Sequence, residues 1–233
     1  MRDLSNLVGE YYLNYYEKVH GSQWGESRLS FHKEIEKPFD HESNYPDILE
    51  VGAGEGQHLR FIKHRYSKYL ATDLRTIDNE ELTPIMEGDV PNYAGNFRAF
   101  GDAAALAYGA ETFDRVVAGC LLLHMADPLK AIDEWYRVLK KGGRIDALIP
   151  RDESLLVGIY SSLFSRRKAW KLGFKEFDLV KALEHVTHYS RVVRLASARY
   201  DSNEIGFTHF PPILGRLKFF RAYSVMRINK SSV

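Results

Sequence analysis

Chemistry is concentrated in the segment ILEVGAGEGQHLRF, Ile48 to Phe61 of this 233-residue chain. A short apolar run enters Gly52, Gly54 and Gly56, and a helix is expected to begin near Gly56. Glycines at such a place let the backbone turn tightly and approach a ligand with no Cβ in the way. In dinucleotide enzymes the third glycine falls one residue later, and the helix N-terminus beyond it holds a pyrophosphate. Here the spacing is Gly-x-Gly-x-Gly, and Glu50 stands two residues ahead of it. A carboxylate there repels a pyrophosphate but suits a ligand that carries an ammonium group. That contrast favours a methionine-bearing nucleoside over a dinucleotide.

Two more carboxylates follow at telling stations. Asp73 lies 21 residues after Gly52, at the end of the apolar run Tyr69–Thr72. An acidic group at a second strand tip accepts hydrogen bonds from both ribose hydroxyls. Asp102 follows Phe97–Phe100 and suits an exocyclic adenine amine, with the Ala103 amide as donor to a ring nitrogen. Taken singly, Asp73 also reads as a helix N-cap and Asp102 as a turn former, so the set carries the inference. Asp89, in GDVPN, reads as a turn residue.

Histidines supply the candidate proton acceptors, since an imidazole titrates near neutrality. His124 follows the fourth apolar run in CLLLHM; it reads either as a helix cap or as a base beside the acceptor. His185, His188 and Tyr189, spaced i, i+3, i+4, are expected on one helix face, either polar and solvated or facing a substrate. His124 and His188 are the catalytic candidates. No metal site is expected, because the histidines lack cysteines or closely spaced carboxylates. Arg166, Arg167, Lys168, Lys171 and Lys175 form a basic cluster after an apolar run; it reads as a solvated face, an acceptor-binding group or a membrane-touching surface.

The elements that must position these groups alternate. Ile48–Val51, Tyr69–Thr72, Phe97–Phe100, Arg115–Ala118 and Arg144–Ile149 read as strands buried on both faces. After Gly56 a helix with Leu59, Ile62 and Tyr66 inward is expected. Asp127 and Pro128 open a further helix, with Leu129, Ile132, Trp135 or Tyr136, and Leu139 inward; Lys140 and Lys141 then suit its last turn and Gly142–Gly143 its stop. Arg221–Ile228 alternates like an added strand. Strands separated by helices imply a parallel α/β sheet with right-handed crossovers. Residues 1–44, with Val8, Tyr12, Tyr15 and Val19 at helical spacing and Tyr11, Tyr16, His20 and Trp24 among them, read as a cap on the sheet or a lid over the ligands.

Composition sets the frame. Hydrophobic residues make up 45% and charged residues 27%, as in ordinary globular domains, and a formal charge of +1 offers no global attraction to nucleic acid or acidic membrane. Cys120, the single cysteine, cannot close an internal disulfide, which fits a reducing compartment. The N-terminus lacks the apolar core of a signal peptide, and the run Leu155–Phe164 is too short to span a bilayer. A cytoplasmic location is expected, with no stable membrane insertion.

The stretches ILEVGAGEG, YLATDLR, FGDAAALAYGAETFDRVVAGCLLLHM and the helix ending VLKKGG resemble class I S-adenosylmethionine-dependent methyltransferases that act on small molecules. The resemblance covers roughly residues 48–150. It implies a Rossmann-like, mostly parallel seven-stranded sheet with an antiparallel hairpin at its C-terminal end. It also implies S-adenosyl-L-methionine as cofactor and S-adenosyl-L-homocysteine as product, without a metal. Glu50, Gly52, Ala53, Gly54 and Gly56 then fall on the methionine side, Asp73 and Leu74 on the ribose, Asp102 and Ala103 on the adenine, with Gly119 completing the set. A single domain is expected: residues 1–44 a helical cap or lid, 45–150 the cofactor core, and 151–233 the acceptor-facing segment with the last strands. Methyl transfer to an oxygen or nitrogen of a small metabolite, sugar or secondary-metabolism intermediate follows. The alternatives are an inactive cofactor-binding regulator or scaffold and a nicotinamide oxidoreductase on the same sheet. AGCLLL after the fourth strand departs from the Asn/Asp-Pro-Pro-aromatic motif of adenine or glutamine amide methylation. No acidic cluster there suggests a catechol-type magnesium site, and no nucleic-acid-binding motif appears. Nothing in the sequence selects an oligomeric state.

Overall fold

Seven strands carry the architecture: β1 (Asp47–Val51), β2 (Lys68–Asp73), β3 (Asn96–Phe100), β4 (Phe113–Gly119), β5 (Leu139–Pro150), β6 (Ile205–Phe210) and β7 (Tyr223–Asn229). They form one sheet in the order β3-β2-β1-β4-β5-β7-β6. β1 to β5 run parallel, and β7 enters antiparallel between β5 and β6. This is the mostly parallel seven-stranded arrangement with a C-terminal antiparallel hairpin that the resemblance implied. The computed structural model describes residues 4, 6–15, 18–19, 25–54, 56–74 and 95–232. Tyr16, His20, Trp24 and Asp89 lie outside the described residues, as does the side chain of Tyr12.

The strands read as apolar runs because both faces are covered, and alternate residues serve opposite layers. Leu49, Val51, Val116, Ala118, Ile145 and Ala147 face helices α3 (Pro128–Val138) and α7 (Tyr189–Arg199). Ile132 and Trp135 of α3 are fully buried there, and Trp135 Nε1 donates to the Ala103 carbonyl at 2.9 Å. On the other face Ile48, Tyr69, Val117 and Leu148 pack with Ile35 of helix α2 (Gly25–Glu36) and with Leu59, Ile62 and Tyr66. Glu50 has the parity of Ile48, so its side chain is buried in this second layer.

Two local expectations about helix length are corrected. The crossover after β1 is only a 3₁₀ turn, Gln57–Phe61, although Leu59, Ile62 and Tyr66 do point inward. α2 lies against this turn, with His32 stacked on Phe61 at 5.4 Å, and it covers the face a longer crossover helix would occupy. Helix α3 opens as read, with Asp127 accepting from the Lys130 amide at 3.1 Å, but it stops at Val138 rather than at Gly142–Gly143. Lys140–Gly143 instead form an irregularity inside β5, where the register with β4 shifts. There Lys140 Nζ bridges Asp47 and Asp114 at 2.8 and 2.9 Å, which holds the lysine in the sheet.

The N-terminal helix α1 (Leu7–Asn14) docks away from the sheet. Leu7, Tyr11 and Val19 cluster with Phe174, Phe177 and Val180 from the C-terminal part of the chain. Helix α4 (Leu155–Tyr160) continues through a wider π turn, Ser161–Ser165, into α5 (Arg166–Lys171). Helix α6 (Phe177–Glu184) follows and ends at His185, and the chain breaks before α7 opens after His188. His185, His188 and Tyr189 therefore do not share one helix face. Extended backbone at His188 and the Thr187 amide, which donates to the Leu123 carbonyl at 3.1 Å, divide them.

Candidate functional site

β1 delivers the chain into Gly52, Gly54 and Gly56, all with positive φ of 64°, 55° and 72°. A side chain is strained in that region, and a Cβ on Gly52 would fall 2.8 Å from Leu121. Among the described residues nothing lies within 4 Å of a Cβ placed on Gly54, so they leave the turn open on that side. Asp73, at the tip of β2, is buried and accepts the Gly54 amide at 2.8 Å. The neighbouring strand thus clamps the turn. Leu74 beside it is exposed.

Glu50 is buried and accepts the Tyr69 hydroxyl at 2.7 Å. Burial pushes its carboxyl above the usual range, against the opposing pull of His58, the Tyr69 hydrogen bond and Arg98. Such a group gains most from a cation brought alongside it. Past β3, Asp102 is exposed and accepts the Ala104 amide at 2.8 Å, while Ala103 is buried next to it. Glu50, Asp73, Asp102 and Gly119 all sit at or near the C-terminal ends of parallel strands, the edge where such sheets bind ligands.

β4 ends at Gly119, followed by Cys120 with φ of 63°. A non-glycine residue in the left-handed region costs on the order of 1 kcal/mol or more, and such strain gathers at functional edges. Here it turns the chain sharply into the 3₁₀ segment Leu122–His124. His124 is exposed, and its ring meets that of His185 edge-on at 4.8 Å. His185 Nδ1 is hydrogen-bonded to Asp152, whose other oxygen holds Lys181 Nζ at 2.8 Å. Burial opposes ionisation of Asp152, but the His185 hydrogen bond and Lys181 hold its carboxyl below the usual range. His188 stands exposed at the N-cap of α7.

Sequence reasoning singled out His185 but missed its partner Asp152; it also missed His32 and a buried polar cluster under the site. His32 approaches β4, since a Cβ on Gly119 would lie 3.7 Å from its Cε1. Its Nδ1 is 2.9 Å from His58 Nδ1, and His58 Nε2 donates to Glu36 at 2.9 Å. Glu36 pairs with Arg115 at 2.7 Å, and Arg115 with Asp146 at 2.9 Å. The available signal was His32 and Glu36 at i, i+4 on one helix.

The family described as "Methyltransferase domain" matches residues 49–146. That segment is a methyltransferase domain. It holds Glu50, the glycine turn, Asp73, Asp102 and His124. The chain is 29% identical over 152 residues to a phosphatidylethanolamine N-methyltransferase of Cereibacter sphaeroides, covering 60% of this chain and 66% of the relative. It is 30% identical over 102 residues to a demethylmenaquinone methyltransferase of Roseiflexus castenholzii, covering 43% and 41%. The chain thus spans just under two thirds of the first relative's length and about two fifths of the second's. A Thermotoga maritima structure, described as a SAM-dependent methyltransferase and possible histamine N-methyltransferase, shares the fold. It superposes with a TM-score of 0.58 at 21% identity, over 97% of this chain and 99% of that one.

The methyltransferase domain fits S-adenosylmethionine on its own geometry. The turn is open beside Gly54 among the described residues, and the buried carboxyl of Glu50 lies on the strand that leads into it. Asp73 at the tip of β2 and Asp102 just past β3 place carboxylate oxygens along the same edge.

Proposed function

We propose that this chain binds S-adenosyl-L-methionine at the glycine turn and transfers its methyl group to an oxygen or nitrogen of a small-molecule acceptor. The carrying observation is the clamp between Asp73 and the left-handed Gly54, beside a buried Glu50. The names of the two curated relatives support an organic small-molecule acceptor.

When bound, the cofactor supplies an electrophilic methyl on a sulfonium that becomes a neutral thioether on transfer. Glu50, Gly52, Ala53, Gly54 and Gly56 hold the methionine portion; Asp73 and Leu74 hold the ribose; Asp102 and Ala103 hold the adenine; Gly119 closes the crevice at the tip of β4. The protein's task is to align an acceptor lone pair and keep water out. His124, exposed beyond β4, takes the acceptor proton on its imidazole. His185 and Asp152 position that ring, because Asp152 fixes His185 and His185 packs edge-on against His124. His188, exposed at the adjoining N-cap, is a second candidate for proton transfer.

Titration calorimetry with S-adenosylhomocysteine, compared with NADH, tests the cofactor assignment. A panel of amine and hydroxyl acceptors with methyl-labelled cofactor tests transfer. Tight nucleoside binding without turnover on any acceptor supports the inactive-regulator alternative, and preference for NADH removes the proposal.

A further inference from the structure

Large apolar side chains stand in solvent on two adjoining segments. On α4 and the π turn after it, Leu155, Ile159 and Leu163 recur every fourth residue and are each about half exposed. Between β6 and β7, Leu217 and Phe219 are 57% and 77% exposed. The two segments are tied together: Ser154 Oγ donates to the Phe219 carbonyl at 3.4 Å, and the Arg151 amide to that of Ala222 at 2.8 Å. Exposed apolar side chains gathered on two neighbouring segments point to an interaction site.

Positive charge continues the same helical stretch. Arg167 and Lys171 follow Leu163 at the same four-residue spacing, Lys175 lies just beyond, and all three are exposed. Arg166 is neutralised by Asp178 at 2.9 Å, whereas among the described residues no ion pair involves Arg167, Lys171 or Lys175. Trp170, an amphipathic ring suited to a water–lipid boundary, is 55% exposed between them. Of the acidic groups around the patch, Glu153 lies 4.0 Å from Arg151, and Asp178 is the partner of Arg166.

We propose that this face docks onto an anionic lipid bilayer. Leu155, Ile159, Leu163, Leu217 and Phe219 enter the headgroup boundary, while Arg167, Lys171 and Lys175 meet lipid phosphates. A helix with one apolar and one cationic portion lies in such an interface without crossing it. No helix among the described residues is long and apolar enough to cross a membrane. Charge complementarity selects the bilayer over a second copy of the chain. A second copy brings the same patch, with the same uncompensated cations, and no anions to meet them. β5 ends at Pro150 opposite Tyr223, so both segments leave the sheet at the edge that bears Gly119 and the glycine turn. Docking therefore brings the crevice edge close to the membrane. This inference stands independently of the transfer reaction.

The test is co-sedimentation of the full chain with phosphatidylcholine vesicles, with and without phosphatidylglycerol, at low and high salt. Binding is expected only with the anionic lipid and should weaken with salt. Phe219→Glu, and separately Arg167→Glu with Lys171→Glu, should each lower partitioning by at least about tenfold, with melting temperature and S-adenosylhomocysteine affinity unchanged. Absence of binding, equal binding to both vesicle types, or variants that bind like the parent overturn the proposal. So does a dimer in solution that Phe219→Glu dissociates while no vesicle binding is seen, which assigns the face to a second copy.

Discussion

Asp73 and Gly54 are joined by a 2.8 Å hydrogen bond from the glycine amide to the carboxylate, so the tip of β2 holds the turn after β1. The bond links two strands that are already paired in register, Val51 beside Thr72. It holds in one conformation a glycine that a free chain leaves to sample both signs of φ. Asp73→Ala is expected to weaken S-adenosylhomocysteine binding at least about tenfold, the value of one charge-assisted hydrogen bond. Calorimetry decides; unchanged affinity removes Asp73 from the site.

Burial of Glu50 works against stability at neutral pH. Burial raises its carboxyl above 4.5, so its ionised form is disfavoured in the native state relative to the unfolded chain. Stability is therefore lost as pH rises from the unfolded value through the folded one. Glu50→Gln should raise the melting temperature of the unliganded protein at neutral pH, and change it little below about pH 4, where the carboxyl is protonated in both states. Cofactor affinity should fall in the same variant. A variant that is neither more stable at neutral pH nor weaker in binding counts against both halves of the argument.

Arg115 is fully buried between Glu36 and Asp146, with Nη1 2.8 Å from His64 and the guanidinium 4.1 Å above the Phe39 ring. Its removal leaves buried charge without a partner. Arg115→Met should cost about 3–5 kcal/mol at neutral pH. Burial disfavours ionised Glu36, but Arg115 and His58 hold its carboxyl well below 4.5. The parent therefore loses this contribution as pH falls beneath the unfolded value. In the variant Glu36 has lost its main cation and protonates more readily, so the stability gap should narrow toward pH 4.5. Urea unfolding at two pH values measures it; a gap that widens in acid contradicts the assignment.

What could be read in advance follows from the range of the interactions. β1, β2, β4 and β5 were legible because strands covered on both faces leave apolar runs, as in Ile48–Val51 and Ile145–Ile149. The start of α3 was legible because Asp127 and Pro128 act within one turn. The 3₁₀ crossover was not: buried His58 depends on hydrogen bonds with Glu36 and His32, more than 20 residues earlier. Gly142–Gly143 imitated a helix stop, yet Lys140 is held in the sheet by Asp47, 93 residues away in the chain. In the site, the glycine turn and its carboxylates are local patterns on strand tips. The pairing of His124 with His185 and Asp152 is not, since it depends on how the chain between α6 and α7 folds back onto the turn after β4.

That fold-back governs the last expectation. The Thr187 amide bonds the Leu123 carbonyl at 3.1 Å, which sets His185 against His124, and Asp152 fixes the far side of the His185 ring. His124→Ala should lower kcat by about a hundredfold or more, the usual range for a general base, and leave S-adenosylhomocysteine affinity nearly unchanged. His185→Ala should lower kcat less, because it acts only through the orientation of His124. With His124 absent, the second substitution should then cost little. The measurement is a double-mutant cycle in kcat across a pH series: a double variant that shows the product of the two single losses means the rings act independently, and equal losses in kcat and cofactor affinity remove His124 as the proton acceptor.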